Sequence, residues 1–241
     1  MNKTLINKPT SCEMRPGPGF QICSSITRTS QETIDGFKEF ETPDISDMLN
    51  RMYAMCPQIQ NMVNNDSIVG SAVTVKVFPG DNLMVHKALD LIQAGDIIVI
   101  DASATNNNAI IGDLVASKAK HRGAIGIVID GLIRDIPSIQ EVGLPIFARG
   151  KSPVGPLHRG PGEINFPVSC GGIVINPGDI ISADKTGVVV IRKEFSDEIL
   201  GNLKAEQQKN AEYVTNVKKG IFSNKWVDTI LENSGCQFNE Q

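Results

Sequence analysis

The sequence lacks the features that would place it among nucleic-acid-binding, membrane-spanning or secreted proteins. Its 23 basic residues are outnumbered by 27 acidic ones, the net charge is −4, and no basic cluster is suited to neutralising phosphates. No apolar run approaches the roughly 20 residues that cross a bilayer. Residues 1–14 also lack the apolar core of a signal peptide. We therefore expect no nucleic-acid partner and no membrane association.

Cysteine and histidine show no metal or disulfide pattern. The five cysteines are odd in number and widely spaced, without a CxxC pair: Cys12, Cys23, Cys56, Cys170 and Cys236. This usage is typical of a reduced cytosol rather than of a disulfide framework or a zinc site, and it predicts a cytoplasmic protein. No metal-ligand spacing relates the three histidines: His86, His121 and His158. We assign them no catalytic role from the sequence.

What the sequence does contain is an ordinary globular composition organised around residues 95–135. Hydrophobic residues make up 41% of the 241 residues, enough to bury one substantial core or two small ones. Two β-branched runs, Asp96–Asp101 and Ile125–Asp130, bracket a segment of helical spacing that starts at Asp113. Gly123 is placed as the residue after that helix. The pattern predicts a strand, a long turn, a helix and a strand.

Periodicity predicts the remaining elements of one α/β domain. Further strands are expected at Ile68–Phe78, Pro145–Ala148, Ile173–Ile175, Asp179–Ala183 and Val188–Ile191, the last three antiparallel. Further helices are expected from Thr42, with an apolar face of Ile45, Met48, Leu49 and Met52, and at Leu83–Ile92, Pro137–Val142, Glu194–Val217 and Trp226–Leu231. Residues 150–167 predict an ordered Gly/Pro-rich loop. We assign residues 1–30 to an N-terminal extension, and residues 31–241 to the domain with its C-terminal helical segment.

Two charged pairs mark the ends of the central unit. Gly112-Asp113 opens the helix and Arg134-Asp135 follows the second strand, with twenty residues between Asp113 and Arg134. Open α/β sheets tend to bind ligands at the carboxyl ends of their strands. An arginine can form two parallel hydrogen bonds with a carboxylate, and an aspartate can ligate a hard divalent cation. Taken alone, Arg134-Asp135 is better interpreted as a structural ion pair in a turn.

Asp113 has a structural and a functional interpretation. The structural one is a helix-starting carboxylate, which the helix dipole favours. The functional one is an anion site in which the N–H groups of Leu114 and Val115, without partners inside the helix, face a ligand beside Asp113. From this residue alone the structural interpretation is the stronger. Lys118 is set aside as part of a polar helix face, because a Schiff-base lysine needs desolvation.

The combined pattern resembles the RraA-like family, whose hallmark is the spacing of Gly112-Asp113 and Arg134-Asp135. Other matching segments are Val69–Val75, Gly80–Asn82, Gly95–Asp101, Gly126–Gly131, Phe147–Gly150, Gly160–Glu163 and Pro177–Asp179. The resemblance covers about residues 40–220 and leaves residues 1–30 outside. It implies a swivelling β/β/α domain assembled as a trimer or a pair of trimers, with sites between subunits.

The resemblance also implies a class II aldolase that needs a divalent ion such as Mg²⁺ or Mn²⁺. The implied reaction cleaves 4-hydroxy-2-oxo acids, such as 4-hydroxy-4-methyl-2-oxoglutarate, to pyruvate and a second carbonyl compound. Oxaloacetate decarboxylation is expected as a side activity, because it passes through the same pyruvate enolate. A metal, an arginine and helix N–H groups can stabilise that enolate without a covalent imine.

Residue roles follow from the resemblance. Asp135 would ligate the metal, Arg134 would bind the pyruvyl carboxylate or enolate oxygen, and Asp113 would orient and activate a water as base. Gly112 and the N–H groups of Leu114 and Val115 would form the cradle for the carboxylate. Glu212 is the nearest match to a glutamate that the family supplies from a neighbouring subunit, although the preceding residues depart from the usual pattern.

A non-catalytic function is the alternative, since the family includes regulators that bind a ribonuclease. The complete Asp113, Arg134 and Asp135 set favours the enzyme, because a pure binding protein has no chemical reason to retain it. A methyltransferase is not supported, because Gly17-Pro18-Gly19 does not follow a strand and the methyl-donor fingerprint is absent.

Overall fold

The computed structural model describes residues 13–64 and 66–239. The chain forms two compact units, the first ending at Leu200 and the second beginning at Gly201. Among the described residues, no helix is both long and apolar enough to cross a membrane. The boundary between an extension at 1–30 and a domain at 31–241 stays a prediction, and residues 1–12 of that extension lie outside the described part.

In the described part of the chain the first unit contains twelve strands, five complete α-helices and a short 3₁₀ helix at Lys193–Phe195. The strands are β1 (Phe20–Ile22), β2 (Gln60–Asn61), β3 (Ile68–Val77), β4 (Asp96–Asp101), β5 (Ala109–Ile111), β6 (Gly126–Ile133), β7 (Ile146–Lys151), β8 (Gly162–Ile164), β9 (Val168–Cys170), β10 (Ile173–Ile175), β11 (Ile180–Ala183) and β12 (Val188–Ile191). The helices are α1 (Gln31–Phe37), α2 (Thr42–Met48), α3 (Leu83–Ala88), α4 (Asp113–His121) and α5 (Ile136–Val142). Helix α6 (Ser196–Lys218) begins in the first unit and continues into the second, which also contains α7 (Lys225–Asn233).

A parallel group of strands, β3, β4, β6 and β7, forms the centre of the main sheet. Strand β4 is buried along its whole length, as expected for a strand covered on both faces. Ile98 and Ile100 pack with side chains of α3 and α4, whereas Ile97 and Val99 pack with side chains of β9–β12. Each such burial stabilises the fold by roughly 1.5–3 kcal/mol. The parallel strands therefore lie between helices on one face and β9–β12 on the other, which confirms the predicted α/β fold class.

The strands and the helix of residues 95–135 lie close to their predicted positions. Strand β4 has the predicted bounds, and β6 extends the second predicted strand to Ile133. Helix α4 starts at Asp113, and Gly123 follows its end with a φ of +96°, a conformation that favours glycine. The antiparallel pairing of β11 with β12 is also confirmed.

Three predictions about individual segments are wrong. The predicted long turn before α4 contains β5, whose three residues are too few to show a period. The predicted loop at 150–167 contains β8, where a Cβ on Gly162 would overlap the carbonyl oxygen of Lys76. Met52 is not part of an apolar helix face, because α2 ends at Met48 and Met52 is 71% exposed. In addition, β1 lies within the predicted extension and pairs with β8 in parallel.

Candidate active site

The two charged pairs of the central unit meet because β5 and β6 lie side by side in parallel. Ile111 is paired with Ile133, so Gly112-Asp113 and Arg134-Asp135 leave the sheet at the same place. The backbone N–H of Arg134 donates to the carbonyl oxygen of Ile111 at 3.0 Å. Strand β5, which periodicity does not reveal, is therefore the element that brings the two pairs together.

Gly112 is required by the close approach of Arg134 and Asp135. A Cβ at this position would overlap Oδ2 of Asp135 and lie 3.2 Å from both Cγ and Nε of Arg134. The φ of Gly112 is −135°, which any residue adopts, so space rather than backbone conformation demands glycine. A larger residue would displace the charged pair.

Arg134 and Asp135 form a half-exposed ion pair. Nε of Arg134 lies 3.3 Å from Oδ2 of Asp135, and the side chains are 42% and 40% exposed. Asp135 has a φ of +58°, in the left-handed region that costs a non-glycine residue on the order of 1 kcal/mol or more. It is also the N-cap of α5, but its side chain makes no capping hydrogen bond. The carboxylate therefore pairs with Arg134 rather than capping its own helix.

Helix α4 opens toward the same place. Its N-cap is Gly112, which has no side chain to cap the helix, and the first intrahelical bond runs from the N–H of Ala116 to the carbonyl of Gly112 at 3.1 Å. The N–H groups of Leu114 and Val115 thus have no partner within the helix. Leu114 is 70% exposed. These N–H groups can donate hydrogen bonds to the carboxylate of a ligand.

A cleft of about 210 Å³ lies at the start of α4 and includes Asp113 and Arg134, and Asp135 packs against Gly112 beside it. Its lining residues are Asn82, His86, Gly112, Asp113, Leu114, Val115, Lys118, Arg134, Pro156 and His158. Three larger cavities, of about 480, 310 and 650 Å³, lie elsewhere around Phe40, Met55 and Phe78, and none of them includes Arg134 or Asp113. We select the smaller cleft because its polar groups converge, and because a small acid fits its volume.

The sequence did not indicate that Asn82, His86 and His158 line this cleft. Asn82 ends the family-matching segment Gly80–Asn82, for which the sequence predicts no site role, and it is 2% exposed. His158 comes from the Gly/Pro-rich loop, 76 residues from the partner that holds it. Lys118, set aside as part of a polar face, also lines the cleft. Contacts distant in the chain bring Asn82, His86 and His158 to the cleft, whereas Lys118 lies on α4 with Asp113.

The donor set fits an ion that keeps most of its water. Among the described residues, no group of three or more His, Cys, Asp or Glu side chains is arranged to hold a metal. Mg²⁺ commonly binds through one or two carboxylates and retains several waters. The half-exposed Asp135 carboxylate, not used in helix capping, suits that mode. Its role as metal ligand stays a prediction.

Glu212 lies on α6 in the second unit and is exposed there. Its predicted contribution to a neighbouring subunit's site stays a prediction.

Comparisons with known proteins decide the family. A family model described as Aldolase/RraA matches residues 42–190, which include every residue that lines the cleft. The chain belongs to the RraA-like family. One relative of this RraA-like chain, from Halalkalibacterium halodurans, bears the name "Putative 4-hydroxy-4-methyl-2-oxoglutarate aldolase". It is 42% identical over 182 residues, which are 76% of this chain and 87% of the relative.

Solved structures show the same RraA-like fold. An uncharacterised protein from Pseudomonas syringae has a TM-score of 0.72 at 27% identity, covering 80% of this chain and 92% of its own. Streptomyces coelicolor RraAS2, described as an unusual member of the RNase ES inhibitor RraA protein family, has a TM-score of 0.71 at 25% identity. That match covers 78% of this chain and 98% of RraAS2.

Proposed function

We propose that this RraA-like chain is a divalent-metal-dependent aldolase. Its substrates are 4-hydroxy-2-oxo acids such as 4-hydroxy-4-methyl-2-oxoglutarate, which it cleaves to pyruvate and a 2-oxo acid or aldehyde. The observation that carries the proposal is the meeting of Asp113, Arg134 and Asp135 at the open N-terminus of α4. The aldolase name of the Halalkalibacterium halodurans relative supports the same reaction class.

In this proposal the residues at the site bind the substrate, transfer a proton or hold the metal ion. Arg134 forms paired hydrogen bonds with the pyruvyl carboxylate or the enolate oxygen. The N–H groups of Leu114 and Val115 hold the carboxylate, with the bare Gly112 allowing its close approach. Asp113 orients a water that removes the proton from the C4 hydroxyl. Asp135 would hold Mg²⁺ or Mn²⁺, and the bound ion supplies Lewis-acid polarisation of the 2-keto oxygen.

Oxaloacetate decarboxylation is a proposed side activity of the same site. Loss of CO₂ from oxaloacetate leaves the pyruvate enolate, which is also the product of carbon–carbon cleavage. Groups that stabilise one enolate stabilise the other.

The reaction class is tested with a coupled assay for pyruvate. We expect pyruvate release from several 4-hydroxy-2-oxo acids and from oxaloacetate in the presence of Mg²⁺, and its loss in excess chelator. Release from none of these acids, with either Mg²⁺ or Mn²⁺, would contradict the proposal. It would favour the alternative, a regulator that binds a ribonuclease or another protein, to which the RNase ES inhibitor description of the RraAS2 family points.

We further propose that the active unit is a cytoplasmic homotrimer or homohexamer in which Glu212 acts at a neighbouring subunit's site. Glu212→Ala and Asp135→Asn would each be inactive alone. Mixed oligomers would recover part of the activity, because some boundaries then carry neither lesion. A fully active monomer in sedimentation at assay concentration would contradict the assembly. Mixed oligomers without recovery would exclude Glu212 from the site.

A further inference from the structure

The cleft contains an imidazole that the proposed roles do not use. Resting on the aldolase function proposed above, we propose that His158 carries the proton that C3 of the pyruvyl fragment receives when the C3–C4 bond breaks. Asn82 is the positioning residue that orients its ring. The proposal follows from the hydrogen bonds of these two side chains and from their place in the cleft.

The hydrogen bonds of Asn82 determine which nitrogen of His158 is free. The side-chain amide Nδ2 of Asn82 donates to the backbone carbonyl of Ile110 at 2.8 Å, in a buried position. The other amide atom, Oδ1, lies 2.6 Å from Nδ1 of His158 and can only accept. Nδ1 of His158 must therefore carry a proton and donate it to Asn82. Nε2 is the one ring nitrogen left to exchange a proton with the cleft.

Hydrogen bonds also fix the backbone on both sides of His158. The N–H groups of Arg159 and Gly160 donate to Oδ2 of Asp81 at 2.6 and 2.8 Å. The N–H of Leu157 donates to the carbonyl of Gly80 at 2.8 Å. A loop rich in Gly and Pro is thus fixed to the turn before α3. This fixation satisfies the geometric precision that a proton-transfer group needs.

The second imidazole of the cleft, His86, lies next to His158. The rings of His86 and His158 meet edge to face, with centroids 5.4 Å apart and planes at 72°. Burial, and then the positive charges of Lys118 and His158, lower the pKa of His86. His86 is therefore uncharged at neutral pH. His86 thus places no second positive charge next to the ring of His158.

The proton balance of the cleavage closes with two groups. The proton of the C4 hydroxyl passes through the water to the carboxylate of Asp113, and the C4–O bond becomes a carbonyl. The electron pair of the C3–C4 bond forms the enolate, and C3 takes a proton from Nε2 of His158, leaving a neutral imidazole. Exchange with solvent then removes the proton from Asp113 and returns one to His158. In the reverse sense, neutral His158 removes a proton from C3 of pyruvate.

The test is exchange of the methyl protons of pyruvate in D₂O, followed by NMR with the Mg²⁺-loaded full chain. We expect His158→Gln to slow exchange and turnover by about 10²-fold or more, the usual contribution of a proton-transfer group. Inhibition by oxalate, an enolate mimic, should stay within about threefold, because Arg134 and the α4 N–H groups are intact. A purely structural role would weaken oxalate binding as well. His121→Gln, at the far end of α4 and not among the cleft residues, is the matched control.

The outcomes separate this inference from the function on which it rests. Exchange within threefold of wild type in folded His158→Gln or His158→Asn would overturn the role of His158 and leave the aldolase in place. An equal loss of exchange and of oxalate inhibition in both variants would also overturn it, in favour of a structural role. If wild-type protein neither releases pyruvate from any 4-hydroxy-2-oxo acid nor exchanges its protons, the aldolase function itself fails.

Discussion

Replacing Gly112 with alanine tests how closely the site depends on its packing. The new Cβ would overlap Oδ2 of Asp135, so the carboxylate must move by about 1 Å to reach ordinary contact distance. Arg134, with Cγ and Nε each 3.2 Å from that Cβ, must give way too. A misplacement of this size commonly costs about 10²-fold in rate, or roughly 2.7 kcal/mol of transition-state stabilisation.

The fold should tolerate the same change. The φ of −135° suits alanine, and replacing glycine at an N-cap costs at most about 1 kcal/mol. We therefore expect Gly112→Ala to lower kcat/KM for pyruvate release about 10²-fold while thermal unfolding shifts by only a few degrees. Gly201→Ala is the control, because its Cβ meets nothing within 4 Å and it should leave activity unchanged. Activity of Gly112→Ala within twofold of wild type would refute the packing argument.

Three further variants separate binding, proton transfer and stability. Arg134→Lys keeps the charge but loses the paired hydrogen bonds, so both oxalate inhibition and turnover should weaken in steady-state assays. Asp113→Asn should lower mainly turnover, and an identical pattern in the two variants would contradict the division of roles. At Asp184, burial raises the carboxyl pKa, but hydrogen bonds from the N–H and hydroxyl of Thr42 and from two further backbone N–H groups outweigh it and lower the pKa overall. The stability from Asp184 is thus present above the unfolded pKa of about 3.9 and is lost as pH falls through the folded value. Urea unfolding should show Asp184→Asn less stable than wild type by about 1 kcal/mol at pH 6, with the difference shrinking toward pH 2; a pH-independent difference would exclude this linkage.

The sequence predicts the parts of the site that are local in the chain. Twenty residues lie between Asp113 and Arg134, and each of the two follows or opens an element with a clear apolar period. Parallel strands deliver their carboxyl ends to one edge, so the pattern places both residues at that edge of the sheet. Their close approach depends on β5, which pairs with β6 immediately before them. Strand β5 escapes the same reasoning, because three residues cannot establish a period.

The other wall of the cleft depends on contacts that no local pattern encodes. Asn82 and His158 are 76 residues apart. They meet because the Asp81 carboxylate accepts a hydrogen bond from the backbone N–H of Arg159, in the loop that carries His158. A histidine in a Gly/Pro-rich loop gives no periodic signal, and its tautomer depends on the carbonyl of Ile110. The requirement for glycine at position 112 likewise depends on the close approach of the Asp135 carboxylate, which the sequence does not predict.

Metal-dependent aldolase activity at this site is tested most directly by measuring pyruvate release as a function of Mg²⁺ concentration in wild type and Asp135→Asn. The exposed Asp47, whose carboxylate pairs with Arg51 at 3.0 Å on α2, supplies the control variant Asp47→Asn. We expect Asp135→Asn to lower turnover by about 10²-fold and to raise the Mg²⁺ concentration needed for half activity, because the Asp135 carboxylate is the main protein ligand of the ion. The control should match wild type. Unchanged turnover in Asp135→Asn, or full wild-type activity in excess chelator, would contradict a metal-dependent aldolase at this site.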